Sequence, residues 1–403
     1  MNNIEKGLIN AIILNMKNAN VYLIDSTKEV FELFKSFKCV NDVTFIDTNE
    51  ENLYDMPDKS IDFLYINSNE KSLENILNIY YSKIKHNGYL LGNGILRNIT
   101  KNVYESFIKK NFLMGDIYNN NFLIKNIFEN NENVNDNKEN IIFVTAFKDI
   151  GRINWKKYSK SNDEYFNNFY NLAKNINYKL IVYVETYIKN ELQEKYSFNN
   201  NIIFKDFNEV EDTFFNKYMR AEKIIMSSWI YQNKIPESRK FKNPEHVYSE
   251  YTLINHSKIN FVSYTKKTNP NYLFYAWIDF GYSRDINMNG KCTPFIENIP
   301  ANIKFSKLPK KIIYHTLKPP PKNRVHPNQM LASEEVYLTG SSYIVDNSLV
   351  EKFEVMHEYK ILKWQLNYIA DDDQSLVLQI YFDNPDLFHL VQVEEYFALY
   401  RFL

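Results

Sequence analysis

Two series of alternating strand-like and helical patterns, separated by a polar stretch at residues 129–140, constrain what this chain can fold into. Within each series, a short apolar run is followed by apolar residues at helical spacing and then by another apolar run. Such alternation is typical of α/β domains built on a mostly parallel sheet. The polar stretch is rich in Asn and has the composition of a solvated linker. The sequence therefore predicts two α/β domains, at residues 1–130 and 141–403, joined by a linker at 131–140.

The first series closes with a hairpin pattern at residues 111–126, and before it lies a strand, helix and strand pattern, "SIDFLYINSNEKSLENILNIYYSKIKHNGYLLGNG", at residues 60–94. This order resembles a class I methyltransferase domain. The Gly-rich turn that would hold the cofactor after the first strand is absent. Asp25 stands where a ribose-binding acid is expected, and we interpret it as the cap of the following helix. The resemblance implies a truncated, degenerate, Rossmann-like domain without activity, which would serve packing, partner contact or homo-oligomer formation.

Charge and cysteine content argue against several classes of protein. The chain carries 48 Lys and Arg against 49 Asp and Glu, so no global field attracts nucleic acid or an anionic membrane. Its two cysteines are too few for a disulfide scaffold or a Cys-based zinc cluster, and they fit a reducing compartment. No apolar run approaches the roughly 18 residues that span a bilayer, and the N-terminus lacks the basic start and cleavage site of a signal peptide. We therefore expect a cytoplasmic protein without a transmembrane segment, peripheral to a membrane at most.

The second series contains an aromatic-rich, strand-like run that ends on a carboxylate, Asp279, within "NPNYLFYAWIDFGYSRD". A charge at the end of a buried strand is costly unless a partner compensates it. A divalent cation bound through carboxylate oxygen would be such a partner, and it would stabilise the charge on a leaving nucleotide diphosphate. Gly281, one of nine glycines in the chain, would let the backbone approach the ligand. The alternative is a turn cap or a salt bridge with Arg284, and a single acid does not decide between them.

The loop after the first strand of this series, "KDIGR" at residues 148–152, is the second candidate feature. Nucleotides bind at such loops in sheets of this type. The backbone N–H of Gly151 and the guanidinium of Arg152 suit a phosphate or a uracil-like ring, although a structural pair between Arg152 and Asp149 is an equal alternative. Lys258, in a helical stretch at "NHSK", would either reach a phosphate or lie on a solvated helix face.

An acidic triplet, Asp371, Asp372 and Asp373, and a late histidine, His389, complete the candidates. Adjacent carboxylates repel one another, which raises the pKa of at least one of them or demands a partner. One of them near an acceptor would serve as the general base of an inverting transfer, and the alternative is an ordinary cap of the following helix. His389 lies among apolar residues in "DLFHLV", so it is either a buried core histidine or a distant metal ligand that completes a site with Asp279.

Four segments of the second series resemble the HtrL/YibB family of bacterial proteins over about residues 141–400: "IIFVTAFKDIGRINW", "KLIVYVE", "NHSK" and "FYAWIDFGYSR". That family is similar to glycosyltransferases of the GT-A fold, so the resemblance implies a GT-A-type C-terminal domain. In this resemblance, Asp279-Phe280-Gly281 occupies the place of the Asp-x-Asp metal motif of GT-A enzymes. The second acid of the motif is missing here, which gives weight to a distant metal ligand such as His389.

The resemblance implies a nucleotide-sugar-dependent glycosyltransferase that moves a sugar from a UDP- or GDP-sugar, with Mn²⁺ or Mg²⁺, to a glycan or lipid-linked, lipopolysaccharide-type acceptor. In this scheme the metal ligands are Asp279 and His389, the catalytic base is Asp372 or Asp373, and Lys258 approaches the phosphates. The remaining roles are a nucleotide lining of Thr145, Phe147, Asp149, Gly151 and Arg152, and an acceptor-side turn of Gly340, Ser341 and Ser342. Two other hypotheses are a methyltransferase activity of the N-terminal domain and a non-catalytic assembly protein.

Overall fold

The chain divides into two compact units in this computed structural model, Met1–Asn133 and Val134–Leu403. The structure describes residues 9, 13, 18–24, 26, 28–46, 60–67, 77, 81–93, 114–118 and 121–125 of the first unit. It describes residues 139–156, 158–240, 243–282, 305–333, 335–393 and 399–402 of the second unit. Asp25, Arg284 and the predicted linker up to residue 138 lie outside the described residues.

The first unit is built on a six-stranded sheet. Its described elements are β1 (Ala19–Ile24), α1 (Lys28–Lys35), β2 (Val40–Ile46), β3 (Ile61–Ile66), β4 (Ile84–Asn93), β5 (Met114–Tyr118) and β6 (Asn121–Lys125). The strand order is β2-β1-β3-β4-β6-β5, and β1 to β4 pair in parallel whereas β6 runs antiparallel to β4 and β5. The predicted closing hairpin is confirmed as β5 and β6, and the predicted Rossmann-like α/β fold of this unit is confirmed with it.

The second unit is built on a seven-stranded sheet. Its strands are β7 (Glu139–Phe147), β8 (Leu180–Val184), β9 (Ile202–Asp206), β10 (Tyr272–Ile278), β11 (Ile312–Thr316), β12 (Leu338–Asp346) and β13 (Phe388–Gln392). The order is β13-β11-β12-β10-β7-β8-β9. β7 pairs in parallel with β8 and β10, while β12 runs antiparallel to β10 and β11. The α/β class predicted for this part of the chain is confirmed.

The central strands are largely buried because the sheet is covered on both faces. All five residues of β8, "LIVYV", are buried.

The helices of this unit are α2 (Asn162–Asn175), α3 (Thr186–Lys195), α4 (Phe214–Ser227), α5 (Trp229–Gln232), α6 (Ser249–His256), α7 (Lys258–Thr268), α8 (Pro327–Ala332), α9 (Val350–Leu366) and α10 (Asp373–Asp383). Among the helices in the described part of the chain, none combines the length and the apolar character needed to cross a membrane.

Helix α2 fixes the segment that follows β10. A reciprocal capping box between Ser161 and Glu164 starts the helix. Its apolar stripe, predicted from helical spacing, is buried, and the Phe169 ring stacks on Phe280 with centroids 4.3 Å apart and planes 3° apart. Phe280 is the residue after Asp279, so this aromatic contact holds the end of β10 in place.

The switch point of the sheet lies between β7 and β10. From β7 the chain runs outward through β8 and β9, and it then returns to the other side of β7 to form β10. In open α/β sheets, ligands bind in the crevice outside the carboxyl ends of the strands at such a point. This topology brings the loop at residues 148–152 and Asp279 to the same edge of the sheet.

Two sequence predictions about strand ends need correction. β7 begins at Glu139, before the predicted start at residue 141, because Glu139 is in register with Tyr272 of β10. Gly340, Ser341 and Ser342 do not form a turn on the acceptor side. They lie inside β12, whose nine residues are all buried between β10 and β11. Small polar residues favour turns in general, and here they are small because neighbouring chain packs closely against them.

Candidate functional site

A cavity of about 150 Å³ opens at the carboxyl ends of β7 and β10. We call it the strand-end cavity. Its lining includes six candidate residues from the sequence: Phe147, Asp149, Arg152, Lys258, Asp279 and Gly281. The switch point of the sheet therefore coincides with a hollow lined by three basic side chains, Lys148, Arg152 and Lys258, and two acidic ones.

Asp279 is paired and still reaches the strand-end cavity. Its Oδ1 accepts a hydrogen bond from Trp277 Nε1 at 2.9 Å and lies 3.1 Å from Lys258 Nζ. Its backbone N–H donates to the carbonyl of Ser341 on β12 at 2.9 Å. The side chain is 22% exposed. The partner of this carboxylate is therefore Lys258, and the role of Ser341 is to hold the backbone of Asp279.

Lys258 lies at the start of α7 and joins two carboxylates. Its Nζ lies 3.1 Å from Asp279 Oδ1 and 3.0 Å from Asp373 Oδ2, and it donates to the carbonyl of Gly340 at 2.7 Å. Its side chain is only 8% exposed, so the alternative of a solvated helix face is wrong. Burial by itself would lower the pKa of Lys258, but Asp279 and Asp373 outweigh it and raise the pKa above its ordinary value. Lys258 is therefore a permanent buried cation.

Gly340 makes room for this arrangement. A Cβ atom at Gly340 would lie 2.7 Å from both carboxylate oxygens of Asp373, which is closer than real Cβ atoms approach. The glycine therefore lets α10 bring Asp373 against β12, where Lys258 meets it. This packing is the physical reason for a glycine in the middle of a buried strand.

Asp149 organises the loop after β7. Its Oδ1 accepts from the backbone N–H of Gly151 at 2.8 Å, and its Oδ2 accepts from Asn162 Nδ2 at 3.0 Å. Its own N–H donates to Glu185 Oε2 at 2.9 Å. Gly151 has a φ of 70°, a left-handed conformation that a glycine adopts without strain. The N–H of Gly151, predicted to face a phosphate, is thus already used by Asp149, and the contribution of Gly151 is conformational.

Arg152 is held by aromatic residues and by a carbonyl. Its Nη1 donates to the Tyr165 hydroxyl at 2.5 Å, and its Nε donates to the carbonyl of Tyr158 at 3.0 Å. The guanidinium lies 5.2 Å from the Trp155 ring centroid. The alternative pairing with Asp149 is wrong, since within the described residues Arg152 forms no ion pair with a carboxylate. A guanidinium without a counter-charge at a cavity is suited to an anionic ligand.

Thr145 does not line the cavity. It is fully buried in β7, and its Oγ1 has no hydrogen-bond partner among the described residues. The aromatic wall of the cavity comes instead from Phe147, the last residue of β7, whose ring centroid lies 5.0 Å from that of Phe280.

A second cavity of about 300 Å³ lies at the N-terminal end of α10. We call it the helix-end cavity, and its lining includes Arg239, Glu245, Tyr337, Asp371 and Asp372. Asp372 caps α10 by accepting from the backbone N–H of Ser375 at 3.4 Å, so the cap interpretation is confirmed for it. Burial and the neighbouring carboxylates Asp371 and Asp373 raise the pKa of Asp372 well above its ordinary value. Burial and the charge of Glu245 raise the pKa of Asp371 to about 7.

The two cavities are neighbours. Asp372 lines the helix-end cavity, and the next residue, Asp373, contacts Lys258 of the strand-end cavity. Tyr158 lines the helix-end cavity and accepts a hydrogen bond from Arg152 of the strand-end cavity. A molecule in one cavity would therefore lie close to a molecule in the other.

His389 does not complete a site with Asp279. It is an exposed residue of β13, in register with Ile313 of β11, and β11 and β12 separate β13 from β10. Three strand spacings amount to about 14 Å, too far for two ligands of one ion. The alternative of a buried core histidine is wrong as well, because β13 ends the described sheet and this side chain points to solvent.

Sequence reasoning missed one cluster. Glu245, His246 and Asp371 each place a potential ligand atom within 4.8 Å of the other two. The first two residues are adjacent in "NPEHVYS", but Asp371 is far away along the chain. The adjacent Glu245 and His246 were a weak signal for a metal site, because only the fold brings them close to Asp371 of the acidic triplet.

Comparison with known proteins gives the following matches. A family model described as "Bacterial protein of unknown function (HtrL_YibB)" matches residues 139–403. Protein HtrL of Escherichia coli strain K12 is 28% identical over 270 residues, which are 63% of this chain and 88% of that protein. The structure of a 4-diphosphocytidyl-2C-methyl-D-erythritol synthase from Anaerococcus prevotii is similar with a TM-score of 0.29 and 11% identity, over 64% of this chain and 91% of its own. A precorrin-6y C5,15-methyltransferase from Geobacter metallireducens is similar with a TM-score of 0.23 and 14% identity, over 30% of this chain and 85% of its own. Structural likenesses of this size carry no argument about function.

Proposed function

The chain belongs to the HtrL/YibB family of bacterial proteins of unknown function, and from this premise we propose that its second unit is a glycosyltransferase with a nucleoside-diphosphate-sugar donor. The observation that carries the proposal is Arg152, a guanidinium without a carboxylate partner in the described part of the chain, at the rim of a cavity at the sheet's switch point. A diphosphate is the anion that such a site suits. A UDP- or GDP-sugar carries this group.

A metal held by Asp279 does not fit the residues present. Oδ1 of Asp279 already accepts a hydrogen bond from Trp277 Nε1 and pairs with Lys258 Nζ, and His389 lies on β13, which β11 and β12 separate from β10. We therefore route no step of the transfer through a metal at Asp279. Arg152 and Lys258 line the cavity, as does Lys148, which is paired with Glu185. Arg152 and Lys258 would stabilise the negative charge that develops on the leaving diphosphate.

The helix-end cavity would receive the acceptor, a glycan or a lipid-linked saccharide. Asp372 is the base in this proposal, because it lines that cavity and its raised pKa makes its ionised form a stronger base. In the transfer, the acceptor oxygen forms a bond to the anomeric carbon of the sugar, and the bond from that carbon to the diphosphate oxygen breaks. The acceptor proton passes to Asp372, and the bonding electron pair leaves with the diphosphate.

Calorimetric titration of the full chain with UDP, GDP and a panel of their sugars tests the proposal. We expect one of these ligands to bind, and we expect Arg152→Gln to weaken its binding at least tenfold, since a lost charged hydrogen bond costs about 1.5–3 kcal/mol. Arg220→Gln is the matched control, because Arg220 is an exposed residue of α4, and it should bind as the unaltered chain does.

Two results would contradict the proposal: no binding to any member of the panel by a folded chain, or equal binding by Arg152→Gln. S-adenosylmethionine is titrated alongside the panel. Tight binding of that compound in place of the nucleotides would favour the methyltransferase hypothesis, and binding of neither would favour the non-catalytic assembly protein.

A further inference from the structure

The wall of the helix-end cavity contains a mixed cluster of nitrogen and oxygen donors. Glu245 and His246 belong to a short turn that begins at Pro244, just before α6, and Asp371 lies just before α10. One potential ligand atom from each of the three residues lies within 4.8 Å of the others. Ligand atoms around one transition-metal ion are roughly 3–4 Å apart, so small side-chain adjustments bring the three atoms to one ion.

The imidazole of His246 is the observation that distinguishes this cluster from an ordinary acidic patch. His246 is 2% exposed, and its Nε2 has no hydrogen-bond partner among the described residues. The Tyr231 hydroxyl lies 3.5 Å from its Nδ1 and donates to the carbonyl of Ala370 at 3.0 Å. A metal-binding histidine uses one ring nitrogen for the ion and hydrogen-bonds through the other, and His246 has a neighbour at Nδ1 and an Nε2 without a partner among the described residues.

The charges at this place do not balance. Four carboxyl groups lie on the lining of the cavity, and one of them, Glu335, is paired with Lys318. The other three, Glu245, Asp371 and Asp372, share the lining with one basic residue, Arg239. The Nη1 of Arg239 is committed to main-chain carbonyls, among them that of Leu331 at 2.7 Å. Buried acidic groups with too little positive charge are costly, and a divalent cation would supply the missing charge.

We propose that Glu245, His246 and Asp371 bind one divalent transition-metal ion at the wall of the helix-end cavity. One imidazole and two carboxylates suit Zn²⁺ or Mn²⁺, whereas Mg²⁺ and Ca²⁺ prefer ligand sets made of oxygen alone. Three protein ligands leave further coordination positions for water or for a hydroxyl group of a molecule in the cavity. This site is distinct from Asp279 and does not rest on the proposed transfer reaction.

The test is calorimetric titration of the full, metal-stripped chain with Zn²⁺, Mn²⁺ and Mg²⁺. We expect one ion per chain, with affinity falling from Zn²⁺ to Mn²⁺ and at least tenfold further to Mg²⁺. Glu245→Gln and His246→Gln should each weaken Zn²⁺ binding at least tenfold. The visible spectrum of the Co²⁺-loaded chain should change in His246→Gln, which reports directly on a lost nitrogen ligand.

The controls are His389→Gln, which removes an exposed histidine, and Asp279→Asn, which removes the carboxylate at the strand-end cavity. Both should bind Zn²⁺ as the unaltered chain does. Circular dichroism establishes that each variant is folded, and Glu245→Gln, at a partly exposed position, provides a second variant if His246→Gln does not fold. The proposal is overturned by absence of binding, by equal binding in Glu245→Gln, or by loss of binding in Asp279→Asn alone. Failure to bind nucleotide sugars would leave all of these results unchanged.

Discussion

At the scale of single residues, Lys258 determines the electrostatics of the strand-end cavity. Its ammonium is shared by Asp279 and Asp373, at 3.1 and 3.0 Å, in a place where little water reaches. A buried ion pair adds little net stability compared with well-packed apolar residues, because desolvation offsets the attraction. Removing only one partner is different, since the other charges stay buried without compensation.

Lys258→Met is therefore expected to lower the free energy of unfolding by about 3–5 kcal/mol. Urea unfolding at pH 7, followed by circular dichroism, measures the change. Lys267→Met is the matched control on the same helix, because Lys267 is exposed, and it should change stability by less than about 0.5 kcal/mol. A loss below about 1 kcal/mol for Lys258→Met would mean that Asp279 and Asp373 find other compensation.

The sequence was a good guide to residue types and a poor guide to their partners. Asp279 was selected because a charge after a buried strand needs a reason, and Arg152 because its loop follows the first strand of the sheet; both line the strand-end cavity. The partner of Asp279 was not predictable, since Lys258 reaches it from another element. His389 was misjudged because its apolar neighbours do not reveal that β13 is a strand at the end of the sheet.

At the scale of elements, the contact of β12 with α10 sets the position of the acidic triplet. Gly340 on β12 leaves the space that the Asp373 carboxylate fills. A glycine followed by two serines was predicted as a turn from local preference, but tertiary packing decided the outcome. The sequence around Gly340 does not show that the side chain of Asp373, at the start of α10, packs against it.

Gly340→Ala is expected to destabilise the fold by about 1–3 kcal/mol, because the added methyl group forces Asp373 away from Lys258. Urea unfolding measures the change. Adding Asp373→Ala to Gly340→Ala should cost less than the sum of the two single changes, since the clash disappears with the carboxylate.

Gly151→Ala is the comparison for the backbone effect alone. Nothing lies within 4 Å of a Cβ at Gly151, but its φ is 70°, so we expect a cost of about 1–2 kcal/mol from the left-handed conformation.

The steric explanation for Gly340 would be contradicted if the costs of Gly340→Ala and Asp373→Ala were strictly additive in the double variant.

At the scale of the whole molecule, a buried acid makes stability depend on pH. Glu222 on α4 is 3% exposed and accepts a hydrogen bond from Gln365 Nε2 on α9 at 2.9 Å. Burial raises the pKa of Glu222 to about 7; the Gln365 hydrogen bond lowers it and the charge of Asp371 raises it further. Because the folded-state pKa lies above the unfolded value, this group favours folding at low pH, and that contribution is lost as the pH rises towards about 7.

Glu222→Gln should therefore be more stable than the unaltered chain by about 3 kcal/mol at pH 8, and this advantage should shrink as the pH falls to 5. Urea unfolding at several pH values, with a chelator present, measures the difference. Glu191→Gln, at an exposed position on α3, should show no such trend. A difference that stays constant between pH 5 and 8 would show that Glu222 does not titrate as described.

The alternation of strand and helix patterns was sufficient to predict both α/β units, and the switch point follows from the order of the strands. The helix-end cavity was beyond the reach of sequence, because its wall joins the turn at Glu245 to the start of α10. Pairings between residues more than a hundred positions apart depend on how helices cross a sheet, and no local pattern encodes them.

Strand β7 has a practical consequence for separating the two halves of this protein. It is an interior strand of the seven, paired with β10 on one side and β8 on the other, and Glu139 at its first position is aligned with Tyr272. A fragment that starts at residue 141 would lack Glu139 and therefore its pairing with Tyr272 of β10, the strand that ends next to Asp279. A fragment that starts at Val134, the first residue of the second unit, keeps this pairing.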